Sequence, residues 1–343
     1  MITGRRLSPG RRRLLVGMLL LLLAVVVPVT LEDFTLFQLS RVVCIGIAVI
    51  SLDLLTGHAG QISVGQGALF GLGAYTTIIL IQRLQVPYPL AIVGGVVLCF
   101  VVGLVIGLPA LRIRGLNLGL ITLAAALLFP ALLKSFDGLT GGVFGMGITP
   151  PGPPPGLSLT SPQWLFVLSI AFLALVLLVV SNVLRSRFGT GLDAIRVDEN
   201  MALAVGVEVR RTKVLVFALS SAIAGFGGGL YQLSIGSATP DTYALVLSLS
   251  MLFAAVVGGL RSRLGSLIGA AFVVFVPDYT AALGDRGPQL VYAAVLLLTV
   301  YLMPGGVVRL LKRVLSSTRR DSGTPVTIPT STSTDPSTAK SAV

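Results

Sequence analysis

Histidine occurs once in this chain, at position 58, cysteine twice, and Asp and Glu together only thirteen times in 343 residues. Metal sites and acid–base catalysis draw mainly on these side chains, and His58 has no second histidine and no nearby carboxylate cluster in the sequence to work with. A membrane enzyme is therefore disfavoured. Cys44 and Cys99 each sit inside an apolar run, where a thiol behaves as a small hydrophobe. No G-x-x-x-x-G-K-[ST] phosphate loop occurs, so the chain itself is not expected to hydrolyse ATP.

Charge is equally scarce. Only 11% of residues are charged against 54% hydrophobic, and the mean hydropathy is +0.95. A soluble domain would carry about a quarter charged residues. The composition defines an all-α, polytopic membrane protein, and its 40 glycines suit helices that approach closely. Apolar segments of spanning length fall at about 14–30, 36–56, 62–82, 89–110, 116–134, 163–184, 214–235, 243–260, 264–282 and 289–308. The first follows five arginines like a signal peptide, but no small-x-small cleavage site comes after it, and it reads as a retained helix. Residues 1–13 then form a basic arm, 14–315 the membrane domain, and 316–343, rich in Ser, Thr and Pro, a disordered tail.

The net charge of +12 could suggest nucleic acid, but its distribution answers to topology and the lipid surface. With the N-terminus inside and about ten crossings, all of the 25 basic residues except Arg41, Arg83, Lys134 and Arg286 lie on the inner side. Both termini are then cytoplasmic. Asp53 and Arg41 are the ionisable residues within apolar runs; each is either a functional group or a side chain snorkelling from a helix end to water. Residues 136–162, dense in Gly and Pro, form an outer loop, either a stiff spacer or a surface for an extracytoplasmic partner.

Two stretches carry the functional argument. In Gly57–Tyr75, G-H-A-G-Q-I-S-V-G-Q-G-A-L-F-G-L-G-A-Y, glycine is mixed with Gln and Ser, which ill suits a lipid-facing helix. Irregular backbone at membrane depth is tolerated inside protein or along a wet cavity. Gly60, Gln61, Ser63, Gly65, Gly67, Gly71, Gly73 and Tyr75 are accordingly expected to line the translocation pathway.

The second stretch is the polar island from Arg185 to Lys213. Its six cations, Arg185, Arg187, Arg196, Arg210, Arg211 and Lys213, would cost roughly 15–20 kcal/mol at a bilayer centre, taking about 3 each. The island must lie in water, yet Leu192, Ile195, Ala202 and Val205 recur at helical spacing and need a surface to bury against. Asp198 or Asn200 can cap a second short helix and Gly206 can stop it. Small residues at Ala202, Ala204 and Gly206 suit a partner's groove.

These stretches resemble branched-chain amino acid ABC transporter permeases of the LIV type. The resemblance is carried by Gly57–Tyr75, by L-R-I-R-G at 111–115, L-T-G-G at 139–142 and R-F-G-T-G-L-D-A-I-R-V-D-E-N-M-A-L-A-V-G-V at 187–207. It continues in V-V-G-G-L-R-S-R-L-G-S-L-I-G-A at 256–270 and Y-L-M-P-G-G-V at 301–307. It implies one permease subunit of an ATP-driven importer in a bacterial inner membrane. A homologous second permease, two ABC ATPases using ATP and Mg, and an extracytoplasmic substrate-binding protein would complete it. The chain itself would bind no cofactor.

The island is similar to the EAA loop that docks on the ATPase. By position, Ala194, Ile195, Arg196, Asp198 and Glu199 fall in its first part, and Ala202, Ala204, Gly206 and Val207 in its Ala-x-x-x-Gly part. The chain departs from that pattern at Asp193 and in Met201-Ala202-Leu203-Ala204, where the family more often has Ala-Ala-Glu-Ala. A self-contained secondary transporter or channel is the alternative; it would call for paired ionisable groups at mid-membrane.

Overall fold

The computed structural model describes residues 9–110, 116–280, 291 and 294. The helices are α1 (Pro9–Thr30), α2 (Asp33–Leu52), α3 (Gln66–Leu84), α4 (Tyr88–Ala110), α5 (Leu116–Ser135), the single turn α6 (Asp137–Thr140) and α7 (Ser161–Arg185). They continue with α8 (Arg187–Val197), α9 (Glu199–Ala204), α10 (Val209–Ile235), α11 (Leu245–Gly258) and α12 (Arg263–Thr280). Nine of these correspond in order to the first nine apolar segments of the sequence; the tenth, 289–308, lies outside the described residues, as do the 111–115 and 301–307 motifs and the tail. Seven spans among the described residues are long and apolar enough to cross a membrane: Asp33–His58, Gln66–Leu84, Tyr88–Leu108, Leu118–Ser135, Ser161–Arg185, Val209–Ile235 and Pro240–Gly258. The protein is all-α and polytopic, and the count of about ten is approximate.

α2 and α10 are apolar on nearly every face, and the fold buries them at its centre. α10 packs on α2, α3 and α4, α12 lies against α11 and α2, and α7 covers α2 from the other side. α4 is peripheral: Leu90, Val93, Val97, Val101, Val105 and Leu108 recur every three or four residues along one exposed face, the surface a lipid-facing helix presents.

Glycine sets how closely the helices cross. A Cβ on Gly73 of α3 would fall 2.1 Å from the Gly225 carbonyl oxygen of α10, and one on Gly225 would fall 2.3 Å from Cys99 Sγ of α4. The Gly-x-x-x-Gly pair at 103 and 107 lets α4 rest on Ser221 and Val214 of α10, and the pair at 265 and 269 lets α12 rest on Gly258 and Ala254 of α11.

Part of the loop between α5 and α7 is built structure. After α6 come a 3-10 turn (Gly142–Phe144) and β1 (Met146–Gly147), which pairs antiparallel with β2 (Ser237–Ala238) just after α10. Gly141, Gly142 and Gly145 take φ of +76°, +58° and +73°, so the chain can fold back in so few residues. Thr160 then opens α7 with a capping box, its hydroxyl accepting from the Gln163 N–H while the Gln163 side chain accepts from the Thr160 N–H.

Candidate functional site

The island forms two short helices beyond the end of α7. Gly189 allows the turn out of α7, since a Cβ there would lie 2.4 Å from the Leu184 carbonyl oxygen. α8 runs three turns, with Leu192 buried in the main core and Ile195 in a satellite core. Asp198 caps α9, its Oδ1 accepting from the N–H groups of Asn200 at 2.7 Å and Met201 at 2.9 Å. Gly206, at φ +80°, ends it. There the Gly206 N–H donates to the Leu203 carbonyl at 3.0 Å and the Val207 N–H to the Ala202 carbonyl at 3.0 Å, the paired bonds of a Schellman stop.

Burial divides the island's named residues into two sets. Ala202 is 1% exposed and, with Ile195 and Val209, forms the satellite core against Ala194 and Val207. Ala204, Gly206 and Arg196 are exposed, as is Asp198, while Glu199 is half-buried and paired with Lys213. The outward apolar knobs are Val197, Met201, Leu203 and Val205, with Met201 68% and Val205 74% exposed. Together these four large side chains make an exposed apolar patch on a capped, packed scaffold. Periodicity had named Val205 and the sequence departure had marked Met201 and Leu203; Val197 was missed, its spacing hidden by the break between the two helices.

The Gly57–Tyr75 stretch divides at Gln66. α2 ends in a π-helical turn (Asp53–His58), followed by irregular backbone to Gly65. Gly60 is exposed beside Arg196, whereas Gln61, Ser63 and Gly65 are buried. Ser63 Oγ is buried without a partner. At the start of α3, Gln66 donates from Nε2 to Ser51 Oγ at 2.6 Å and to Ser220 Oγ at 3.0 Å. Both hydroxyls spend their own protons on carbonyls, Ser51 on Ala48 and Ser220 on Ser51. The amide must therefore present its N–H groups to them, and its Oε1 is left buried and unpaired.

Beyond Gln66 the stretch is packed helix. Gly67 meets Ser248 of α11, its N–H donating to Ser248 Oγ at 3.0 Å; Gly71 meets Phe129 and Tyr243, and Gly73 meets Gly225. Tyr75 is buried, donating to the Ala238 carbonyl at 3.2 Å with its ring edge-on to Tyr243 at 5.7 Å. In this conformation Gly67, Gly71 and Gly73 are helix-crossing positions. Within this stretch, buried side-chain atoms without a hydrogen-bond partner lie at His58, Ser63 and Gln66.

The remaining intramembrane charges are placed as follows. Asp53 does not snorkel: it is 4% exposed, and its Oδ1 accepts from the backbone N–H of Arg261 at 2.6 Å. Arg41 lies at the opposite end of the bundle, 3.6 Å from Asp278 and over the Phe37 ring. His58 Nδ1 is 3.7 Å from Asp193 Oδ1. No group of three or more His, Cys, Asp or Glu suited to a metal occurs among the described residues.

A bundle of apolar spans with a capped two-helix island at one end and polar groups buried along the irregular backbone leading into α3 defines a membrane transport subunit. The chain belongs to the permease family described as "Branched-chain amino acid transport system / permease component", whose model matches residues 34–303. It is 25% identical to the high-affinity branched-chain amino acid transport system permease protein LivM of Escherichia coli K12, over 74% of this chain and 65% of that protein. It is 24% identical to the LivH permease of the same strain, over 75% of this chain and 89% of that protein. It is 32% identical to a probable LivM of Methanocaldococcus jannaschii, over 42% of this chain and 41% of that protein. Measured against the LivM proteins of E. coli and Salmonella typhimurium, the aligned part spans 65% and 58% of their length. No solved structure matches.

Proposed function

We propose that the chain is a permease subunit of an ATP-driven ABC importer for branched-chain or related amino acids. It would form half of a translocation pathway with a homologous second permease. Two ATPase subunits would bind ATP and Mg on the cytoplasmic side, and an extracytoplasmic binding protein would deliver substrate. The single observation that carries this reading is the α8–α9 island: a capped, separately packed helix pair that holds Val197, Met201, Leu203 and Val205 out into water. Such a surface fits an apolar groove on a soluble partner, and this chain's sequence provides no phosphate loop of its own.

In this mechanism, closure of the nucleotide-bound ATPases displaces the island. The island is continuous with α7 at Arg185 and runs into α10 at Val209, so its movement tilts both helices, and α10 is the one around which α2, α3 and α4 pack. Two packed arrangements, exchanged as rigid bodies, would open the pathway alternately to each side. Substrate would pass the irregular segment of Gly60, Gln61, Ser63 and Gly65, where Ser63 Oγ lacks a protein partner.

The test is co-purification. Leu203→Glu leaves the satellite core intact and puts a charge on the docking face; it should remove most of the ATPase that co-purifies from membranes and abolish leucine uptake, with normal permease levels. Ala202→Glu, which buries a charge in the satellite core, should do the same by unfolding α9. Full ATPase retention and normal uptake in Leu203→Glu would sink the docking surface.

A further inference from the structure

Docking explains how a partner grips the island, but not how the island's motion reaches helices that it does not continue into. The turn between α11 and α12 meets the island at Arg261. This residue has φ +66°, a left-handed conformation uncommon for a side chain of its size. That geometry sends its two ends to different elements. Its backbone N–H donates to Asp53 Oδ1, in the π turn that ends α2, at 2.6 Å. Its guanidinium donates from Nη2 to Asp193 Oδ1, on α8, at 2.7 Å. The π turn is shaped for this contact: a Cβ on Gly57 would lie 2.2 Å from Asp53 Oδ1, so only glycine leaves the carboxylate room to lie along the turn. A second strand joins the same parts, since Arg196 of α8 donates from Nη1 to the Gly57 carbonyl.

We propose that Arg261 is a positioning residue that gears the island to the membrane helices, tying α8 through Asp193 to α2 through Asp53 and to the α11–α12 turn. The inference rests on the reading of the island as an ATPase-docking element. A displacement of α8 then moves three elements as one body, including α2, which neither α8 nor α9 continues into. Asp53 is the fixed point: buried, it exchanges water for a charge-assisted hydrogen bond that holds only while the Arg261 turn keeps its left-handed form. Asp193, half-exposed, is the link that makes or breaks cheaply.

The proposal separates backbone from side chain, and so does its test. Arg261→Gly keeps the φ and the N–H that Asp53 needs while deleting the guanidinium. Asp193→Asn removes the charge from an exposed site and leaves α8 folded. In full complexes from membranes, each variant should lower radiolabelled leucine uptake about fivefold, the effect of losing one half-exposed ion pair worth about 1 kcal/mol. Co-purified ATPase and basal ATP hydrolysis should stay within about twofold of wild type, and the double variant should lose no more than either single one. Arg261→Lys, which keeps the charge, should retain most of the uptake. Unchanged uptake in either single variant, multiplying losses in the double variant, or loss of co-purified ATPase would overturn the gearing role. A wild-type chain that co-purifies no ATPase would instead overturn the docking reading on which it stands.

Discussion

Gly73 shows how far a single residue decides this fold. In sequence it is one glycine among many and was assigned to the pathway; in the structure it is where α3 and α10 touch. Gly73→Ala would force a Cβ to within 2.1 Å of the Gly225 carbonyl oxygen, a backbone atom that cannot step aside. Overpacking of this kind costs about 1–3 kcal/mol, and the detergent-solubilised variant should unfold several degrees earlier in a thermal melt. Gly17 of α1 is the control: nothing lies within 4 Å of its Cβ position, so Gly17→Ala should leave the melting temperature unchanged or slightly raised. Equal losses at both sites would mean that close crossing is not what Gly73 provides. Composition announced a tight bundle, but which glycine serves a crossing depends on the partner helix, and that is not written in local sequence. Asp53 stood out in sequence as a carboxylate within an apolar run, either functional or snorkelling, and only the structure shows it buried; Arg261, more than two hundred positions away, could be seen only as one more inner cation.

At the scale of elements, local chemistry was easiest to read where it was self-contained. A cap at Asp198 or Asn200 and a stop at Gly206 follow from side-chain reach and left-handed backbone; the structure has the cap at Asp198 and the stop at Gly206. The length of α8 is not written locally, because its stability comes from burying Leu192 and Ile195 against other parts of the chain. α9, at six residues, is too short to persist on intrinsic propensity and depends on its two ends and on Ala202. Asp198→Ala removes the acceptor for two N–H groups, a loss of about 1 kcal/mol. Gly206→Ala adds a left-handed alanine, a further penalty of about 1 kcal/mol. Hydrogen exchange over 199–207 should accelerate in each variant and most in the double one, while α10 stays protected. Unchanged exchange in both would show that the satellite core alone holds α9.

For the whole molecule the decisive question is which end of the bundle faces the cytoplasm. At the end where α2, α8 and the α11–α12 turn meet, Arg196 and Arg261 engage Gly57, Asp53 and Asp193, and Arg185, Arg187, Arg210 and Arg211 stand exposed on the adjoining island. At the other end each described cation has an oxygen partner: Arg41 has Asp278, Lys134 has Asp241 and Arg83 the Gly138 carbonyl. The unequal load of cations argues that the island end is inside, because orientation follows Lys and Arg and barely responds to carboxylates. The two native cysteines are buried and unpaired, so a cysteine introduced at the surface would be read against a quiet background. Leu157→Cys, in the exposed loop before α7, should react with a membrane-impermeant maleimide in intact cells. Thr190→Cys, exposed on α8, should react only after the membrane is opened. The reverse pattern would turn the molecule over in the bilayer and, because ATP is cytoplasmic, would remove the island from any ATPase it could serve.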